Sequence, residues 1–199
     1  MIKRLGYLLC ALAAMVALTT GMPSAVAAPA AGTVLNATIS PTSLTLSTGE
    51  TVTVSGSLSV AITQFKVQGD KIVAVATLNG TLIGTTSAGD TVTATFTNAK
   101  VVLRISNLQA SCSAGTLSFY VRAVIPPSGV EVTVNGAPVS LKKAVVLTGS
   151  VMVSTASISD PRVAGRVGAL ICQLDSLLRS GGSLEAIVDR LNQLLRVLA

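Results

Sequence analysis

Between Thr33 and Ser157 apolar and small polar residues alternate along much of the chain, and from Asp160 the apolar spacing changes to threes and fours. Two periods mean two kinds of element: strands that bury alternate positions, then helices that bury one stripe. Thr51 to Ile62 (TVTVSGSLSVAI) is the clearest strand. The apolar parity then slips to Phe65 and Val67, which predicts a β-bulge near Thr63-Gln64. Gln68-Gly69-Asp70 predicts a turn into a strand over Lys71–Leu78, and Asn79-Gly80 either a further turn or a kink in a longer strand. More strands are expected over Thr91–Thr97, Val101–Ser106, Leu117–Ile125, Val130–Val134, Val139–Leu141 and Ala144–Val153. Asn135-Gly136 is a strong hairpin signal, because a type I′ turn needs positive φ at both central positions. Pro138 just beyond it cannot donate to a ladder and predicts an edge. Ser47–Val54 is echoed by Ser87–Ala94, a turn leading into a strand used twice.

Asp160-Pro161 is a helix N-cap followed by proline at the first helical position. Val163, Val167, Leu170, Ile171, Leu174, Leu177 and Leu178 then form one helical stripe, which Gly181-Gly182 ends. Ser183 caps a second helix whose stripe runs Leu184, Ile187, Val188, Leu191, Leu194, Leu195 and Leu198. The expected fold is mainly β with a C-terminal α portion. An antiparallel sandwich or barrel-like domain spans residues 28–158, and a two-helix antiparallel hairpin over 159–199 packs on it.

The first 27 residues follow a different grammar. Lys3 and Arg4 precede an uncharged apolar run from Leu5 to Leu18, and Ala25-Val26-Ala27 supplies small residues for cleavage between Ala27 and Ala28. That order is a secretory signal peptide, and the run is shorter than the ~20 apolar residues of a membrane span. No second hydrophobic span follows. Export leaves about 172 residues, enough for one domain with a real core, and an extracellular or cell-envelope location.

Loss of Lys3 and Arg4 lowers the net charge from +6 to about +4, carried by cations with no run longer than two. With only Phe65, Phe96, Phe119 and Tyr120 as aromatics in the exported portion, neither a nucleic-acid surface nor a sugar-stacking module is expected. The same poverty of aromatics argues against an outer-membrane barrel. Cys10 leaves with the signal, so Cys112 and Cys172 remain as one pair, most economically a structural disulfide. The alternative is a reactive or metal-binding thiol, which lacks both a C-x-x-C motif and any histidine.

Without histidine there is no Ser-His-Asp or Cys-His arrangement and no H-E-x-x-H metal motif. The eight acids have ordinary roles: Glu50, Asp70 and Asp90 in turns, Asp160 as a cap, Asp175 within reach of Arg179. Ser140-Leu-Lys-Lys143 fits S-x-x-K, but it reads as a strand, and that chemistry needs the serine at a helix start. No catalytic, cofactor or metal site is expected.

Three features together resemble a loose group of uncharacterised exported bacterial proteins of actinobacterial type. They are the β segment Ile62–Leu82, the mid-chain Cys112, and the tail with Leu170-Ile-Cys172-Gln-Leu-Asp-Ser-Leu-Leu178 followed by Leu191-Asn-Gln-Leu-Leu195. The resemblance covers roughly residues 60–199 and implies a β domain with a disulfide-linked helical tail. It supplies no catalytic residues. The expected function is a non-enzymatic secreted or envelope-associated interaction or structural module that engages an extracellular protein or envelope component. The alternative is a carrier of a small apolar ligand or lipid between sheet and hairpin, since Lys71–Leu78 and Lys100–Ile105 carry apolar residues on both faces.

Overall fold

The computed structural model describes residues 33–199, so the export signal expected over residues 1–27 and the expected Ala27–Ala28 junction lie outside the described residues. Eight strands precede two helices. The strands are β1 (Thr33–Thr45), β2 (Thr51–Gln68), β3 (Lys71–Thr85), β4 (Thr91–Ser111), β5 (Thr116–Ile125), β6 (Glu131–Val134), β7 (Ala137–Val139) and β8 (Val145–Ser154); the helices are α1 (Pro161–Arg179) and α2 (Leu184–Leu198). All pairings are antiparallel. They run β1–β2–β3–β4–β5–β8 and return from β8 to β1, so six strands close into a barrel. Between a sandwich and a barrel, the barrel holds.

β6 and β7 continue lines already begun. β4 leaves β5 at Arg104↔Arg122 and meets β6 at Thr95↔Glu131, while the Leu46↔Leu141 bridge prolongs β8 along β1. The barrel is therefore three long hairpins, the third interrupted on both arms. Their tips meet at one end. A Glu50 carboxylate oxygen accepts from the Ser87 N–H and hydroxyl at 2.9 Å each, and Asn135 Nδ2 donates to Asp90 at 2.7 Å. The two echoing segments make the same turn, with Gly49 and Gly89 at φ of 93° and 92°.

The alternation places strand residues as expected, and the bulge falls between Ile62 and Gln64. Asn79-Gly80 is a kink inside β3 and not a chain reversal. The stretches Thr91–Thr97 and Val101–Ser106 are one strand, because Asn98 adopts φ +50° and bends β4 without ending it. Asn98 N–H donates to Asn79 Oδ1 at 2.8 Å, so each kink supports the other. Asn135-Gly136 makes the expected turn (φ 48° and 83°), and Pro138 lies on β7, which pairs only with β6.

A six-stranded barrel is narrow, and its interior is filled by side chains. Phe96 and Phe119 share it with small residues such as Ala37, Ala74, Ala76, Ala94 and Ala123. The seam closes through Ala37↔Val151, Thr38↔Ser150 and Ile39↔Gly149. A Cβ on Gly149 would stand 2.6 Å from the Thr38 carbonyl oxygen, so only glycine allows β1 and β8 to approach this closely.

The helical hairpin plugs the end opposite the tips. Asp160 Oδ1 accepts from the Arg162 N–H at 2.8 Å, Ser183 caps α2, and Gly181 turns between the helices at φ +69°. Val167, Ile171, Leu174, Ile187, Leu191 and Leu194 are buried in the same apolar cluster as the barrel core. Beyond the Thr33↔Ile62 pair, the described chain offers β2 no further strand on that side. The side-chain amide of Asn192 takes that place: it accepts from Phe65 N–H at 2.8 Å and donates to Phe65 C=O at 3.0 Å.

Cys112 and Cys172 form a disulfide between the β4–β5 turn and α1. Asp175, one helical turn on, accepts from Arg179 Nε and from the Cys112 N–H. The hydrogen bond from Arg179 and that from Cys112 hold the Asp175 carboxyl below its ordinary range.

Two outcomes are expected. Replacing both cysteines by serine removes a cross-link across 60 residues. In the chain-entropy picture this costs about 4 kcal/mol, read as a lower guanidinium midpoint with a somewhat steeper slope from the less compact unfolded chain, and a loss under about 1 kcal/mol would show that the cap is held without it. Because the folded-state pKa of Asp175 is depressed, its stabilisation is present above the unfolded value of about 3.9 and is lost as pH falls through the folded one. The stability difference between the parent and the Asp175→Asn variant should therefore shrink as pH drops below about 4; a difference constant from neutral pH to about pH 2 would refute the assignment.

Candidate functional site

Each barrel strand sends alternate residues outward, and the outer surface is not uniform. On β1 and β2 the exposed outward residues include Asn36, Thr38, Ser40, Ser43, Thr51, Thr53, Ser55 and Ser57, with Gln64, Lys66 and Gln68 at the far end of β2. On β4, β5 and β8 they include Val102, Arg104, Tyr120, Arg122, Val124, Val146 and Met152. Register turns this list into a surface. Arg104 lies directly opposite Arg122, and two residues further along each strand lie Val102 and Val124. Val102 is paired with Val75 on β3, and Val124 with Val146 on β8. A row of valines thus crosses four neighbouring strands, next to a row that runs Lys66, Val73, Arg104, Arg122, Thr148.

The backbone opens a groove at this point. Pro126 and Pro127 follow β5 and have no N–H to donate, and a 3-10 turn over Pro127–Gly129 replaces the ladder. On the facing strand Asn98 bends β4. Between Arg104↔Arg122 and Thr95↔Glu131 the two lines run without paired residues. Gln68, Val102, Arg104, Arg122 and Val124 line the open groove of about 340 Å³ that results.

Its electrostatics are one-sided. Like charges placed directly opposite on neighbouring strands repel, and no carboxylate relieves this pair. The ion pairs among the described residues are Arg179–Asp175 and Arg190–Asp189, both in the helices. Glu50, Asp90 and Glu131 lie toward the hairpin tips and Asp70 in the β2–β3 turn, and residues 1–32 contain no acid at all. Lys66, Lys71 and Lys100, all exposed, add to the positive field around the arginines. These five come from four strands that the ladder brings side by side, while the other cations of the described residues lie in the β7–β8 link and the helices.

The sequence-predicted site residues fare as follows. Cys112 and Cys172 are brought together as the structural bridge; Ala27 and Ala28 lie outside the described residues. Ser140 and Lys143 fall in the irregular link between β7 and β8, where no helix start exists. No group of three or more metal-ligating side chains occurs among the described residues. The wall itself escaped sequence reading, although one signal pointed at it. Within a strand, consecutive residues face opposite sides, so the doublets Val101-Val102 and Val145-Val146 must each present a valine outward.

No protein-family model, curated protein or solved structure matches the chain.

Like charges at directly opposite positions are expected to cost a little stability. Arg122→Glu converts a like-charge cross-strand pair into an opposite-charge one and is expected to raise unfolding stability by about 0.5 kcal/mol. Urea denaturation at low ionic strength tests this, and a destabilised variant would mean that the Arg122 stem packs against the wall more than its charge is repelled.

Proposed function

We propose that this chain is a non-enzymatic exported binding module whose outer wall on β4, β5 and β8 engages a component of the cell envelope. The observation that carries the reading is the Arg104/Arg122 pair. Two unneutralised cations face each other beside a row of exposed valines, an arrangement unfavourable for the isolated barrel and favourable once an anionic partner covers it.

Other features support the same reading. The apolar run and cleavage motif at the N-terminus fit export, and the disulfide fits an oxidising compartment. The absence of histidine from the sequence removes the commonest general base. The carrier alternative would need the leucines of α1 and α2 to line a chamber, whereas they belong to the packed core, so the wall is the better-supported site.

Retention on isolated envelopes of the producing cell tests the proposal. The purified protein should sediment with envelopes, and Arg104→Gln with Arg122→Gln together should release most of it while the disulfide is kept and the melting temperature is not lowered. Equal retention of parent and variant would move the site off this wall.

A further inference from the structure

Resting on that reading, we infer that the wall docks on the surface of an anionic phospholipid bilayer. Six large apolar side chains stand exposed among the described residues, and five lie on β4, β5 and β8: Val102 (54%), Tyr120 (55%), Val124 (61%), Val146 (39%) and Met152 (70%). Only Ile83 lies elsewhere. Val102, Val124 and Val146 stand in one row of neighbouring positions on three strands, an apolar strip that contact with water alone does not call for.

The cations sit among these side chains and not apart from them. Arg104 and Arg122 lie between the valine row and Tyr120, which is paired with Ser106 on β4 and Ser150 on β8. Around the arginines this order matches the bilayer surface: Val102, Val124 and Val146 enter the acyl boundary, Tyr120 sits at headgroup depth, and guanidinium groups take phosphate oxygens in two-pronged hydrogen bonds, while Met152, one row beyond Tyr120, lies outside the contact. Phosphates also resolve the repulsion between the two arginines, which no protein carboxylate does. The contact is superficial. No helix among the described residues is long and apolar enough to cross a membrane, and the Ser/Thr face of β1 and β2 suits water.

Flotation with vesicles of phosphatidylcholine alone and of phosphatidylcholine with 30 mol% phosphatidylglycerol, about 0.1 M salt, tests the inference directly. The disulfide-bonded protein should float with the anionic vesicles and not with the neutral ones, and raised salt should release it. Arg104→Gln with Arg122→Gln should weaken partition about 30-fold, at about fivefold per cation near the surface. Val102→Ser, Val124→Ser and Val146→Ser together should weaken it about tenfold through lost apolar burial. Arg104→Lys with Arg122→Lys should restore most of the binding, which an unfolded variant would not do. Equal partition to both vesicles, or to neither, overturns the bilayer assignment. If envelopes stripped of lipid still retain the parent and release the glutamine variant, the occupant is an anionic polymer or protein; the bilayer falls while the binding module stands. If intact envelopes retain both equally, the module reading falls as well.

Discussion

Six strands cannot enclose a useful lumen. Closure into so small a ring forces the inward residues to fill the space themselves, and phenylalanines beside alanines do so here. Everything else follows from that filled interior. One end is tied by hydrogen bonds among the hairpin tips, the other is plugged by the α1–α2 pair, and both share the core with the barrel wall. The outside of the barrel is less constrained, although even there Val73 is buried between its neighbours Lys66 and Arg104.

The outer wall shows how backbone irregularity and charge combine. Prolines after β5 and a left-handed asparagine in β4 separate strands that would otherwise stay paired, and the side chains bordering the gap are valines and arginines. Neither helps the isolated fold. The arginines repel one another, and the valines stay in water where threonine would serve on the same strands. A site that weakens its own scaffold by a small amount is easily accommodated in a domain also stabilised by a disulfide, a filled barrel and a sealed end.

Much of the architecture was legible in the residues. Period two located the strands, Asp160-Pro161 and Ser183 marked both helix starts, and Cys112 and Cys172 were the one cysteine pair outside the N-terminal apolar run. Closure was not legible, because it depends on register between β1 and β8, which lie at opposite ends of the β region. The basic wall was hidden for the same reason: Lys66, Arg104 and Arg122 are far apart in sequence and meet only across ladders. Asn192 looked like one more polar position on an amphipathic helix, and nothing local shows that its amide completes the hydrogen bonding of a strand. The apolar residues on both faces of Lys100–Ile105 were visible from the start. The filled barrel places the outward member of each valine doublet on the outer surface and not in a cavity.

The three-pair seam also governs when the molecule can become itself. Ala37 waits for Val151, so a chain delivered N-terminus first, from a ribosome or through a translocation channel, holds β1 as an open edge until nearly all of the barrel sequence has emerged. Partial chains can form the first two hairpins but not the ring, and only the arrival of Gly149 lets the edges meet. The helical plug and its cysteine come later still. The fold is therefore committed by its last third, and a threadable, unclosed chain is its natural state for as long as that third is withheld.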